Sequence, residues 1–463
     1  MRNKRRTPAL LYCALGLVIG VAIAVGAVLT AAAIAGVFNT RPGAWTVHIT
    51  PFERLPSLGF TVNVPGTLRL ALSPVGERIL DGRTRTTAIG TLAFRRHDRT
   101  LVVVCSPCRL DDARLAAQPL TLPLELRLTP RDDGDLNGHI DGVLNTEGVR
   151  ADLSATLASE MIEVAWSVPA TEAADVVRAL ASVVPEAQTA QISGSIAARG
   201  TLLLPSMPGR SSLQLDHLEV SGLGTESLSD GMFQQDCTDR DGAPKKIVNG
   251  PGSRFWIAMT DLGDRLPAAV VAAEDQHFFE HPGYDSQEIS ASLAVLEPGN
   301  PSMVSAPQST RGTSTLTQQL ARTLYTGGER SATGALRQLL YAVEMEHTLG
   351  KQRILELYLN TADWGPGVCG VRSAARMYFG KSAARLTTLE SAWLAASLLQ
   401  PHRAYEREFL TGRAELARTH RVLAQMRSVP SSERAQSARQ SLVFAHAPRQ
   451  TPLAASASAA QER

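Results

Sequence analysis

At 463 residues the chain is longer than one hydrophobic core usually supports, so two or three domains are expected. Its 46 Lys and Arg nearly balance its 44 Asp and Glu. That balance gives no electrostatic case for a nucleic-acid partner.

The N-terminus "MRNKRR" sets Arg2, Lys4, Arg5 and Arg6 ahead of a stretch without charge from Thr7 to Thr40. About 20 apolar residues suffice to span a bilayer core as a helix. Clustered basic residues stay cytoplasmic, so residues 1–40 are expected to be a cytoplasmic tip and single-pass anchor, with the bulk on the periplasmic side. A cleaved signal peptide is the rival reading, but the run exceeds the roughly 7–15 residues of a signal core.

Residues 41–230 are expected to be a β-rich periplasmic domain. "GTLRLALSP", "TLVVVC", "LTLPLELRLTP" and "QISGSIAARGTLLLP" alternate with period two between Gly, Pro and Asp breaks, and "TEAADVVRALASVV" interrupts them as a helix. Cys105 and Cys108 suggest a local disulfide, with a redox pair as the alternative, and Cys237 with Cys369 is a conceivable second bridge. Residues 231–250 are taken as a linker, 251–428 as a helical domain, and 429–463, low in apolar content, as a disordered tail.

"AAEDQHFFEHPGYD", residues 272–285, admits two chemistries. With Asp264 as cap, Pro267 early and Gly283 after the end, a helix would carry Val270, Glu274, Phe278 and His281 on one face. Glu274 would then be a buried carboxylate suited to proton transfer. Alternatively His277 and His281, within His-x-x-Glu-His, would ligate zinc with Glu280 as base, in the manner of a peptidase. In the plainest reading His277 is solvated and His281 meets the helix dipole. The next segment, "GTSTLTQQLAR", opens a helix with a capping box, Thr315 and Gln318. Leu316, Leu320 and Leu324 form its apolar stripe, and Thr315, Gln318 and Arg322 a polar one suited to phosphate or pyrophosphate.

Four stretches in order, "EDQHFFEHPGYD", "GTSTLTQQLAR", "KQRILELYLN" and "GVRSAARMYFGK", resemble the successive motifs of the peptidoglycan glycosyltransferases of family 51, over residues 251–405. The resemblance implies a mostly α, lysozyme-like catalytic domain on a membrane anchor. It implies polymerisation of lipid II onto a growing glycan, with inversion at the anomeric carbon and release of polyprenyl pyrophosphate. Glu274 would deprotonate the acceptor hydroxyl, and Asp275 would orient it. Ser314, Thr315, Gln318, Gln319, Arg322, Lys351 and Glu356 would bind substrate and pyrophosphate, with room for a divalent ion such as Mg²⁺ and no organic cofactor. The implied partners are lipid II, the glycan chain, the inner membrane and other cell-wall synthesis proteins. Leu355, Leu357, Tyr358 and Leu359 read as core, Asn360 as a helix C-cap, and Lys381 as a helix end.

One departure stands out. Where the family pattern has Arg-Lys-x-x-Glu, this chain has Gly334-Ala335-Leu336-Arg337-Gln338, so the second carboxylate is an amide. A catalytically weakened, lipid II-binding homologue is therefore the alternative function. No Ser-x-x-Lys or Lys-Thr-Gly follows, so no transpeptidase is expected. The phrasing of residues 41–230 faintly resembles AsmA-like envelope proteins, which implies a scaffold or lipid-binding role for that part.

Overall fold

The computed structural model describes residues 25–28, 30, 36–41, 43–49, 60–131, 139–158, 160–205, 209, 211–285 and 314–445. Most of the expected anchor lies outside them. Among the described residues no helix is long and apolar enough to cross a membrane.

A short hairpin, β1 (Thr46–Ile49) with β2 (Phe60–Asn63), leads into helices α1 (Val64–Leu72) and α2 (Pro74–Leu80). Here the sequence reading is corrected, because "GTLRLALSP" is helical. Asn63 Oδ1 accepts from Gly66 N at 2.8 Å and Pro65 occupies the first turn, so local capping overrides the period-two pattern.

The β-rich unit is one nine-stranded antiparallel sheet in which each strand pairs with the next, a meander without crossovers. It runs β3 (Thr84–Thr87), β4 (Gly90–His97), β5 (Thr100–Leu110), β6 (Leu120–Arg131), β7 (His139–Thr146), β8 (Val149–Leu157), β9 (Ile162–Glu172), β10 (Gln191–Leu204) and β11 (Ser211–Ser221). Leu72 packs from α1 against Leu101, Ile140, Leu157 and Ile162 of the sheet. Cys105 and Cys108 are disulfide-bonded within β5. Helix α3 (Ala173–Ala179) falls within the expected helical segment.

Residues 231–250 are no linker. They form the hairpin β12 (Phe233–Thr238) and β13 (Pro244–Asn249), which is tied to the helical unit by the Cys237–Cys369 disulfide. Buried Gln235 donates to Thr361 O at 2.7 Å, and Asn249 Nδ2 to Asn360 O at 3.0 Å. Two buried amides that satisfy helix-end carbonyls make the hairpin an integral wall.

The helical unit comprises α4 (Arg265–Glu274), α5 (Leu316–Leu324), α6 (Ala332–Thr348), α7 (Gly350–Thr361), α8 (Val371–Phe379), α9 (Thr388–Ser397), α10 (Leu416–Gln425) and α11 (Ser431–Ser437). Phe278, Trp364, Tyr378, Trp393 and Phe409 fill its core. The start of the expected disordered tail is ordered as well: α11 follows, and Phe444 lies 4.9 Å from Trp393, ring to ring. An aromatic contact of this kind holds the segment where composition alone predicts disorder. Residues 446–463 lie outside the described set.

The two units share a core. Val177, Val184, Ile196, Leu218 and Val220 of the β-rich unit pack on Leu339, Leu340 and Val343 of α6. Helix α6 is thus clasped between the sheet and the rest of the helical unit.

Candidate active site

Helix α4 ends at Glu274, because Asp275 turns out of helical geometry at φ −159°. Phe278 and His281 therefore do not continue its face, and residues 275–283 form a strap. This removes the basis of the zinc reading: His277 is exposed, while His281 Nε2 meets Asp275 Oδ2 at 2.9 Å. Because Gly283 N donates to His281 Nδ1 at 3.1 Å, the neutral ring carries its proton on Nε2, facing Asp275. Gly283, at φ +91°, passes so close to α6 that a Cβ would lie 2.6 Å from Glu346 Cγ, so the strap needs glycine there.

Asp275, expected to support the base, is the more buried of the acidic pair, at 7% exposure, whereas Glu274 is half-buried. The second oxygen contact of Asp275 explains its burial: Leu316 N donates to Oδ2 at 3.0 Å. A carboxylate thus sits on the positive end of α5 and pins it to the strap.

That contact also revises the reading of Thr315 and Gln318. The capping box is formed as expected, with Gln318 N donating to Thr315 Oγ1 at 3.1 Å and Thr315 N to Gln318 Oε1 at 3.2 Å. Thr315 Oγ1 further donates to Gly283 O at 2.6 Å. Both side chains are buried, and the helix start is already filled by Asp275, so its N–H groups are not presented to an anion.

What remains accessible is one face one turn further on. Gln319 Nε2 reaches Glu274 Oε2 at 3.5 Å and Ser314 O at 3.2 Å. Tyr358 donates to Gln319 Oε1 at 3.0 Å and so fixes which end of the amide faces the acid. Three residues along, Arg322 points Nε and Nη2 at Gln338 Oε1, both at 3.3 Å. Burial, and then the neighbouring charge of Arg330, lower the Arg322 pKa from its usual value, without approaching neutrality in water. Among the described residues, the buried Ser314 Oγ has no hydrogen-bond partner, which leaves it a free polar group beside Gln319.

Lys351 and Glu356 each have other partners, Lys351 also lying 3.5 Å from His281 Nδ1. Lys351 Nζ binds Glu346 Oε1 at 2.8 Å and lies 4.5 Å over the Phe278 ring. Glu346 also accepts from Thr317 at 2.5 Å, so this network braces the strap against α5 and α6. Glu356 accepts from Met259 N at 2.8 Å and pairs with Arg353 at 2.6 Å. Asn360 is no cap: 1% exposed, it exchanges two 2.9 Å hydrogen bonds with the Ile257 backbone. Leu355, Leu357 and Leu359 are core, as read; Tyr358 is core with a working hydroxyl. Lys381 pairs with Glu390 at 2.7 Å.

The described residues bring no three His, Cys, Asp or Glu side chains together as one, and the group facing Arg322 is an amide.

The described site thus sets an acid at the end of α4 beside the Gln319 amide of α5, with Arg322 one turn further along that helix. Residues 243–427 match the family described as Transglycosylase. Over 178 residues the chain is 41% identical to the biosynthetic peptidoglycan transglycosylase of Bordetella pertussis, covering 38% of this chain and 70% of that protein. It is 43% identical over 148 residues to the protein of the same name from Pseudomonas aeruginosa, covering 32% of this chain and 60% of that relative. The chain belongs to the transglycosylase family.

Proposed function

We propose that this protein is a peptidoglycan glycosyltransferase that extends a glycan strand from lipid-linked precursors. The single observation that carries the reading is the Glu274–Gln319 contact at 3.5 Å on the helix that presents Arg322 one turn later.

Glu274 accepts the proton of the acceptor sugar's 4-hydroxyl. The resulting oxygen attacks the donor's anomeric carbon from the face opposite the pyrophosphate. The new C–O bond forms as the anomeric C–O(phosphate) bond breaks, and the configuration inverts. Arg322, with Arg330 beside it, meets the charge that builds on the departing polyprenyl pyrophosphate. Gln319, oriented by Tyr358, holds the acid and the acceptor in register. The names of the Pseudomonas and Bordetella relatives support the substrate class. Lipid II as substrate, a lysozyme-like catalytic fold, and an inner-membrane, periplasm-facing position rest on the motif resemblance and on the basic, then apolar, N-terminus.

Purified protein with labelled lipid II should yield lysozyme-sensitive strands. Glu274→Gln should lower turnover by at least about 10²-fold, the scale of lost general-base catalysis. Undiminished turnover in that variant sinks the mechanism.

Gln338, 3% exposed where the family pattern has a glutamate, favours a second reading, a lipid II-binding homologue of weakened activity. Lipid II binding without turnover, with turnover gained in Gln338→Glu, selects it.

A further inference from the structure

The β-rich unit does more than adjoin the helical one, because it holds the first turn of α6. Ala332 N donates to Arg114 O at 2.8 Å and Thr333 N to Leu115 O at 2.9 Å, so two free N–H groups at the start of α6 are satisfied by a loop between β5 and β6. Glu186, which follows α3 and is 4% exposed, receives Arg337 Nε at 2.9 Å and Nη2 at 2.8 Å. Arg337 Nη1 then reaches Glu329 Oε2 at 2.9 Å, and Glu329 Oε1 accepts from Ala117 N at 3.4 Å. The carbonyl of that same Glu329 accepts from Gln338 Nε2 at 3.1 Å. Gln338 is the next residue after Arg337, and its other end receives Arg322.

The chain of contacts runs without a gap from a buried carboxylate in the sheet unit to the guanidinium of the candidate site. A planar guanidinium forked between two carboxylates is a rigid connection. An amide that bonds at both ends has no rotational freedom left.

We propose that Glu186, through Arg337 and Glu329, is a positioning residue for Arg322, so that the β-rich unit is a working part of the pyrophosphate-receiving subsite. This rests on the glycosyltransferase reading for its ligand. In this chain the Arg-Lys-x-x-Glu pattern is absent at 334–338, and a clasp from another unit stands on that stretch of helix. Arg322 faces a neutral amide and keeps its full charge for a diphosphate.

Two measurements on the full chain test the clasp: affinity for inorganic pyrophosphate by calorimetry, and steady-state turnover of lipid II. In Glu186→Gln, pyrophosphate affinity should fall about fivefold, in the range of measured couplings between sites. The kcat should fall about tenfold, as expected for a displaced charge, with KM for lipid II little changed. Glu186→Asp should recover part of both, and Arg337→Lys, which keeps charge but loses the fork, should lie between. The lysine variant also serves if Glu186→Gln does not fold. If the variants only melt earlier while per-molecule affinity and kcat match the wild type, the clasp is merely structural and the proposal falls. A wild type that binds no pyrophosphate also overturns it. Should the wild type be inert on lipid II while Glu186→Gln still weakens pyrophosphate, the glycosyltransferase reading falls and the clasp stands.

Discussion

Arg322 directs two N–H groups at one oxygen, Gln338 Oε1, and Gln338 returns its own N–H groups to Glu329 O at 3.1 Å and Thr326 Oγ1 at 3.4 Å. One buried amide therefore serves as acceptor for a cation and donor to a loop, a pair of tasks no carboxylate can perform.

Replacing Gln338 with Leu keeps the volume and removes every partner. A half-buried guanidinium and the part-buried Glu329 carbonyl would be left wanting, a cost of about 1–3 kcal/mol. Urea unfolding of Gln338→Leu should show that loss. A change under about 0.5 kcal/mol, the ordinary scatter of surface substitutions, would mean water replaces the amide freely.

Tyr358 holds the Gln319 amide in one orientation through its 3.0 Å hydrogen bond. Tyr358→Phe leaves the ring packed and frees the amide to turn its oxygen toward Glu274. Stability should change by about 1 kcal/mol or less, while lipid II turnover drops several-fold. Equal turnover in the two proteins would show that the amide is held by other means.

Asp275 joins the strap to α5 through Leu316 N and to His281. Asp275→Asn retains size but loses the charge that complements the helix dipole, so about 1–2 kcal/mol should be lost. Asp275→Ala, which leaves His281 and Leu316 N without their acceptor, should cost more. Thermal melts of the two variants in the same buffer check the order, and an alanine variant as stable as the asparagine one contradicts it.

Acid should loosen the clasp between the units. Burial by itself would raise the Glu329 carboxyl, but hydrogen bonds from Ser331, Arg337 and Ala117 N–H outweigh it and hold the pKa below its ordinary value. The folded protein thus takes up that proton less readily than the unfolded chain. The contribution is complete above the unfolded value, roughly 4.3, and is lost as pH falls through that value toward the folded one. The melting temperature of the wild type should drop more steeply than that of Glu329→Gln below about pH 4.5. Parallel curves would remove Glu329 from the linkage.

Much of this molecule is written locally. The Thr315–Gln318 capping box, the Leu316 and Leu320 stripe, strands β5, β6 and β10 and the order of the four motifs depend on groups within a few residues of one another. A hydrogen bond across three residues or an apolar repeat needs no distant partner, and so sequence alone determined them. Local cues misled where two competed: the Asn63 cap and Pro65 made a helix of an alternating stretch, and Asp275 ended α4 before the aromatic residues that periodicity placed on it.

Tertiary structure decided the rest. Glu274 meets Gln319 across 45 positions, Asp275 meets Leu316 N across 41, and Glu186 meets Arg337 across 151. These pairs exist because burying the apolar faces of α3, β10 and β11 against α6 fixes the approach of two units, and only then do carboxylate, guanidinium and amide come within reach. Sequence identified which groups were capable of chemistry; packing chose which of them face one another.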